Sequence, residues 1–401
     1  MKAAALVSSL IFCGIAVFPT GVNAEEHHLP WFSSGASSTT VVPTSPVSMP
    51  AIVRVRILHA RKSFTLGCTG PFTFPGGKIQ PAKKVLTISP KGRQFVIGSK
   101  KYGSALQVTP MQAADVLMVN HRRYRGTLSI EPAGVNRVDV IEWIPLEEYL
   151  YGVLPREVGG DWPAEALKAQ AVVSRTYVLA NMATEPAQRF DLTNDVYSQV
   201  YGGLEDEAPA ANQAVEATRG EILITKEGKP VEAFFHSSCG GRTEVPQYVW
   251  KGRAASDDFS SVSDSYCAAE DPFYRWHLDL SGAAIRARLR HVGIRVGEIS
   301  KIKVLKRSPS DRVWVFGIYS SSGEREISGQ NFRMAMGPEA LRSTLLTDIS
   351  RTRGGFHFEG HGWGHGVGFC QWGARGRAQA GQNYKDILKA YYPAETLVRP
   401  T

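Results

Sequence analysis

The chain has 401 residues, 43% of them hydrophobic and 21% charged, and its 46 Lys and Arg outweigh 37 Asp and Glu for a net charge of +9. That apolar content excludes a disordered chain, and the length allows one large or two medium domains with a true core. The basic balance suits anionic partners, but no arginine-rich arm, basic helix or zinc-finger spacing accompanies it, which argues against nucleic acid.

Residues 1–24 read as an export signal: Lys2, an apolar run from Ala3 to Phe18, and the small-x-small Val22-Asn23-Ala24 that a signal peptidase cuts. Gly14, Pro19 and Gly21 interrupt the run short of the ~20 residues a bilayer span requires, and no later segment is long and apolar enough to cross. Cleavage before Glu25 leaves 45 basic against 37 acidic residues, a charge of +8, and an exported chain. Of five cysteines, Cys68, Cys239, Cys267 and Cys370 remain, enough for two disulfides in an oxidising compartment.

Residues 25–50 are a linker, rich in Ser, Thr and Pro from Phe32 onward. A β-rich module follows over 51–123. It opens on Ile52-Val53-Arg54-Val55-Arg56-Ile57-Leu58, which alternates apolar and basic residues as a half-buried strand does. Strand-like runs continue at 84–89, 94–97, 105–109, 126–130 and 137–144.

The region 124–396 mixes helices and strands. Helices are predicted at 146–153, 164–182 and 208–218, with strands at 221–225, 231–236, 301–304 and 313–319 and a short helix over 328–336. The fold class is therefore α+β, a β-rich N-terminal module followed by a mixed α/β region that forms a cleft. Within it Pro155 and Gly159-Gly160 break the chain around Glu157, and Pro163 suits a helix's first turn, so Glu157 is expected on a constrained loop.

Three further segments offer chemistry. In His361-Gly362-Trp363-Gly364-His365-Gly366-Val367-Gly368-Phe369 every second residue is glycine, and an extended chain would align His361, Trp363 and His365 on one face. Such an aromatic face suits a stacked sugar ring, and glycine at that density argues against a helical zinc motif. A tightly packed hairpin with structural histidines fits the composition equally. In the segment Phe234–Glu244, His236 and Cys239 could join Cys267 as zinc ligands, whereas a Cys239–Cys267 disulfide is the simpler arrangement for an exported protein. Around 191–203, Tyr197, Gln199 and Tyr201 alternate onto one face, and Asp191 and Asp195 are candidate partners for a reactive glutamate.

The order of these segments resembles the SpoIID/LytB family, named after the stage II sporulation protein D and the amidase-enhancer proteins. The marks are Glu148-Tyr149-Leu150-Tyr151-Gly152-Val153 leading to Glu157, Glu165–Ala171 with Ser174-Arg175-Thr176-Tyr177, the 236–243 segment, Gly360–Gly368, Cys370-Gln371-Trp372-Gly373-Ala374 and Tyr391-Tyr392-Pro393. The resemblance implies a peptidoglycan lytic transglycosylase that cuts between N-acetylmuramic acid and N-acetylglucosamine, preferring strands without stem peptides. It puts the catalytic acid at Glu157 and makes Arg175 and Thr243 site residues, with Arg175 on the substrate carboxylate or as an orienting donor. Tyr197, Tyr201, His361, Trp363 and His365 complete the expected substrate contacts. No cofactor is required, zinc is compatible, and a periplasmic or wall location follows. The family's other activity, enhancement of a cell-wall amidase, would make the chain a glycan-binding module with that amidase as partner.

Overall fold

The alternation that begins at Ile52 builds the first strand, Ile52–Arg61, with Val53, Val55 and Ile57 buried and Arg54 and Arg56 on the opposite face. The computed structural model describes residues 52–92, 94–182, 189–195, 198–253, 259–272 and 274–400. The expected leader and linker, and Tyr197, lie outside these residues.

The fold is α+β. One six-stranded sheet runs in the spatial order Leu192–Thr193, Ile52–Arg61, Val138–Pro145, Thr127–Pro132, Leu106–Pro110, Phe72–Thr73. A second runs Lys100–Tyr102, Gln94–Ile97, Leu86–Lys91, Phe64–Cys68, Leu117–Val119, Arg122–Tyr124. Strands from both sides of position 123 thus share one sheet, and their apolar faces form a single core with the helices that follow.

Those helices are α1 (Leu146–Val158), α2 (Ala164–Met182) and α3 (Pro209–Ala217). α1 runs past the expected end at Val153. Pro155 lies in its last turn, where it forfeits one hydrogen bond of a helix already three turns long, and Gly159 at φ 79° ends it. Glu157 is therefore on the final turn of a helix and not on a loop. α2 is buried on nearly all sides, and Ala166, Ala169 and Ala171 let neighbouring backbone approach it.

The C-terminal half adds α4 (Tyr266–Glu270), α5 (Gly282–His291), α6 (Gly329–Met336), α7 (Gln371–Gln379) and α8 (Tyr384–Tyr391). Ser281 and Ser328 cap α5 and α6 by accepting the Ala284 and Asn331 N–H groups. α5 and α6 pack on two three-stranded sheets, one of Arg275–Leu280, Gly355–His361 and Leu346–Thr352, the other of Ile299–Arg307, Val313–Ser320 and Gly323–Ser328, around a core of their own. Only Phe235–His236 of the strand expected at 231–236 pairs as a strand with a distant segment. It lies parallel to Phe369–Cys370 at the entrance to α7. Among the described residues no helix is long and apolar enough to cross a membrane.

Candidate active site around Glu157

The Val200 N–H donates to Glu157 Oε1 at 3.0 Å. The Gln371 side-chain amide at the start of α7 is turned to the same carboxyl and favours its ionised form, though Gln371 Nε2 closes no hydrogen bond of ordinary geometry. Burial outweighs both and pushes the Glu157 pKa up to about 7. Glu157 as a whole keeps partial solvent exposure, while its carboxyl is desolvated. The phenols of Tyr149 and Tyr177 lie near enough that the Glu157 charge adds to burial in raising their pKa values, that of Tyr177 to about 12.

Tyr177 connects the acid to an aromatic wall. Its ring meets Phe234 at 6.5 Å and Phe235 at 6.1 Å, Phe234 meets Trp250 at 4.6 Å, and Trp250 meets His365 at 5.1 Å. Phe234, Trp250 and His365 are half-buried. His365 Nδ1 accepts the Val367 N–H, and burial followed by the Arg333 charge drives its pKa to about 3. Burial and then His365 drive the His236 imidazole well below its ordinary value as well. Both rings are neutral, with His236 Nδ1 placed to donate to the Val367 carbonyl.

The glycine-rich stretch is a folded loop and not an extended strand. The strand Gly355–His361 ends where it begins, and Gly362, Gly364, Gly366 and Gly368 all take positive φ, between 72° and 115°. A Cβ on Gly364 would stand 2.8 Å from His236 Cβ, and one on Gly368 would stand 2.2 Å from the Phe234 carbonyl oxygen. The glycines thus let the loop press against the Phe234–His236 backbone. His361, Trp363 and His365 do not share one face: His361 stacks on Tyr274 at 4.9 Å, Trp363 lies under the Arg342 guanidinium at 4.8 Å, and His365 joins the wall. His361 lines a cleft of about 590 Å³ with Gly240, Arg242, Arg307, Asp311 and Leu345, and Glu157 does not line it.

Several expected substrate contacts are structural. Arg175 is wholly buried and paired with Glu147, with its remaining donors on the Glu221 and Val215 carbonyls, so it cannot reach a substrate. Thr243, 1% exposed, accepts the Val262 N–H at 2.8 Å and ties two loop segments together. Tyr201 is buried against Tyr149 at 4.9 Å, its hydroxyl facing the buried Glu142. Asp191 is held by Arg54 at 2.6 Å. Sequence reasoning had no reason to single out Gln371, the Val200 N–H, Tyr177 or Trp250. Gln371 and Tyr177 stood within the segments quoted for the resemblance and Val200 within the 191–203 segment, whereas Trp250 carried no local mark.

The expected cysteine pair gains a third sulfur. Cys239 Sγ and Cys267 Sγ lie 3.4 Å apart as free thiols, and ligand atoms of Cys239, Asp264, Cys267 and Cys370 all fall within 4.8 Å of one another. His236 is not in the group: Asp264 and Cys370 stand where the sequence suggested it.

The stage II sporulation protein family profile matches residues 135–224, and a domain of unknown function matches 251–368. The chain is 30% identical to an uncharacterized protein of Brachyspira hyodysenteriae over 354 residues, 86% of this chain and 93% of that one. It is 29% identical to the amidase enhancer of Bacillus subtilis over 353 residues, 74% of this chain and 47% of the relative, so it spans about half of that protein. Stage II sporulation protein D of Bacillus amyloliquefaciens is 30% identical over 268 residues, 63% of this chain and 74% of the relative. The matched segment 135–224 contains α1, Glu157, α2 and Val200, the frame of the site described above; the chain belongs to the SpoIID/LytB family.

Proposed function

We propose that the chain is an exported peptidoglycan lytic transglycosylase with Glu157 as its acid and base. One observation carries this reading: a carboxyl on a partly exposed residue, its pKa raised by burial to about 7, held by the Val200 N–H beside an aromatic wall. At neutral pH such a group is protonated often enough to give a proton and ionised often enough to take one.

Glu157 donates its proton to the glycosidic oxygen as the bond to muramic acid C1 breaks. The C6 hydroxyl of the same sugar then attacks C1, closing a 1,6-anhydro ring, and its proton returns to Glu157. Because the nucleophile belongs to the substrate, the second carboxylate of an ordinary glycosidase is not required. Phe234 and Trp250 supply stacking faces for the pyranose rings.

Purified protein incubated with amidase-treated glycan should release fragments ending in 1,6-anhydro sugars, read by mass spectrometry, and Glu157→Gln should release none. The Bacillus subtilis relative's name favours a second reading, a glycan-binding enhancer of an amidase. That reading requires glycan affinity without new anhydro ends, together with faster turnover by an added amidase.

A further inference from the structure

We propose that Cys239, Cys267, Cys370 and Asp264 form a closed tetrahedral site for one zinc ion. Three chain segments converge there: the loop after Phe235–His236, the start of α4, and the residue that caps α7. The three cysteines are 0% exposed and Asp264 is 1% exposed, so no water need complete the set, as in structural zinc sites.

The sulfurs are prepared as acceptors. Cys239 Sγ accepts the Gly241 N–H at 3.4 Å, and Cys370 Sγ accepts N–H groups from Cys239 at 3.2 Å and Gly373 at 3.3 Å. Backbone N–H groups aimed at sulfur are the outer support that thiolate ligands receive. The 3.4 Å between Cys239 and Cys267 sulfurs is near the ~3.8 Å edge of a tetrahedron with Zn–S bonds of ~2.3 Å. A disulfide would bring them to ~2.05 Å and leave Cys370 without a role.

The charges also close. Three thiolates, one carboxylate and a divalent cation leave a net −2, and two buried guanidinium groups face it. Arg377 reaches Asp264 Oδ1 at 3.3 Å, and Arg312 donates to the Cys239 carbonyl at 2.5 Å. Asp264 is oriented further by the Tyr391 hydroxyl at 2.6 Å. Thiolate-rich tetrahedral sets favour zinc over the oxygen-seeking cations, and loading would release the three thiol protons. The ion would clamp α7 one residue before Gln371, whose amide faces Glu157.

The test uses the exported full chain, purified without reductant. Elemental analysis should find about one zinc per chain, and alkylation under denaturing conditions with chelator, still without reductant, should label Cys239, Cys267 and Cys370 alike. Cobalt exchange should give thiolate charge-transfer and tetrahedral d–d absorption. Asp264→Asn, which keeps the packing, should surrender zinc to a competing chelator at least tenfold faster, without any measurement of activity. A disulfide joining any two of the three cysteines, or a protein that stays metal-free in micromolar zinc, overturns the proposal.

Discussion

Arg175 and Glu147 meet in a buried two-point ion pair, Nε to Oε1 at 3.0 Å and Nη2 to Oε2 at 2.7 Å, that fastens α2 to α1. The Gly220 N–H adds a third contact to Glu147 Oε1 at 3.1 Å, so the turn after α3 is pinned as well. Arg175→Ala leaves Glu147 charged and buried, and should cost about 3–5 kcal/mol in urea unfolding. The double replacement Arg175→Met with Glu147→Leu should cost clearly less. Equal losses would mean the pair does not act as a unit.

Glu157 should tilt the stability curve. Its folded pKa is raised to about 7 from an ordinary 4.5, so the folded state holds the proton more tightly. The stabilisation is complete below pH 4.5, declines as pH rises because the unfolded chain ionises first, and is gone above about pH 7. At ~1.4 kcal/mol per pK unit the swing reaches about 3 kcal/mol at most. Glu157→Gln should flatten that slope, gaining on the parent between pH 4 and pH 8, while anhydro-product release disappears. A parallel pair of stability curves would contradict the raised pKa.

The same pKa sets the alkaline limb of activity. Cleavage should fall about tenfold per pH unit above pH 7 as the acid loses its proton. The Gln371 amide holds the pKa down, so Gln371→Leu should move this limb to higher pH. An unmoved limb with a lowered rate would assign Gln371 to packing alone.

Trp250 stands in the wall, half-buried between Phe234 and His365. Trp250→Ala should weaken binding of denuded glycan by roughly tenfold, in keeping with ~1.4 kcal/mol of lost stacking, and leave the thermal midpoint within a few degrees. Titration of glycan against the inactive Glu157→Gln background reads the affinity without turnover.

At Gly368 the backbone leaves no alternative residue. Alanine there meets both a φ of 72° and the Phe234 carbonyl at 2.2 Å from its Cβ. Gly368→Ala should cost about 2 kcal/mol or more in thermal or urea unfolding. Gly381→Ala is the control, a positive-φ position with open space around it, and should cost less.

Local pattern made much of the fold legible. The alternation after Ile52, the alanine-rich α2 and the Ser328-capped α6 each declare themselves within a dozen residues. Pro155 misled because proline breaks a helix interior, whereas near the last turn it removes a single bond. The glycine-rich loop misled because its period of two imitates a strand, while glycines at positive φ turn the chain at every second residue. Arg175 drew attention through the family resemblance, and its partner stands 28 residues away where no spacing rule connects them. The same distance problem hid the third sulfur of the cysteine cluster, since Cys239 and Cys370 are separated by 131 residues.

The parallel pairing of Phe235–His236 with Phe369–Cys370 ties together two segments far apart in the chain. It closes a loop of more than a hundred residues, whose entropic cost is roughly 4 kcal/mol plus a constant. The pairing is only two residues long and cannot offset that cost by itself. The sheets of the segment between Arg275 and His361, with a core of their own, shorten the effective loop if they form before its ends meet. Gln371 follows Cys370 directly, so the same closure carries its amide toward Glu157.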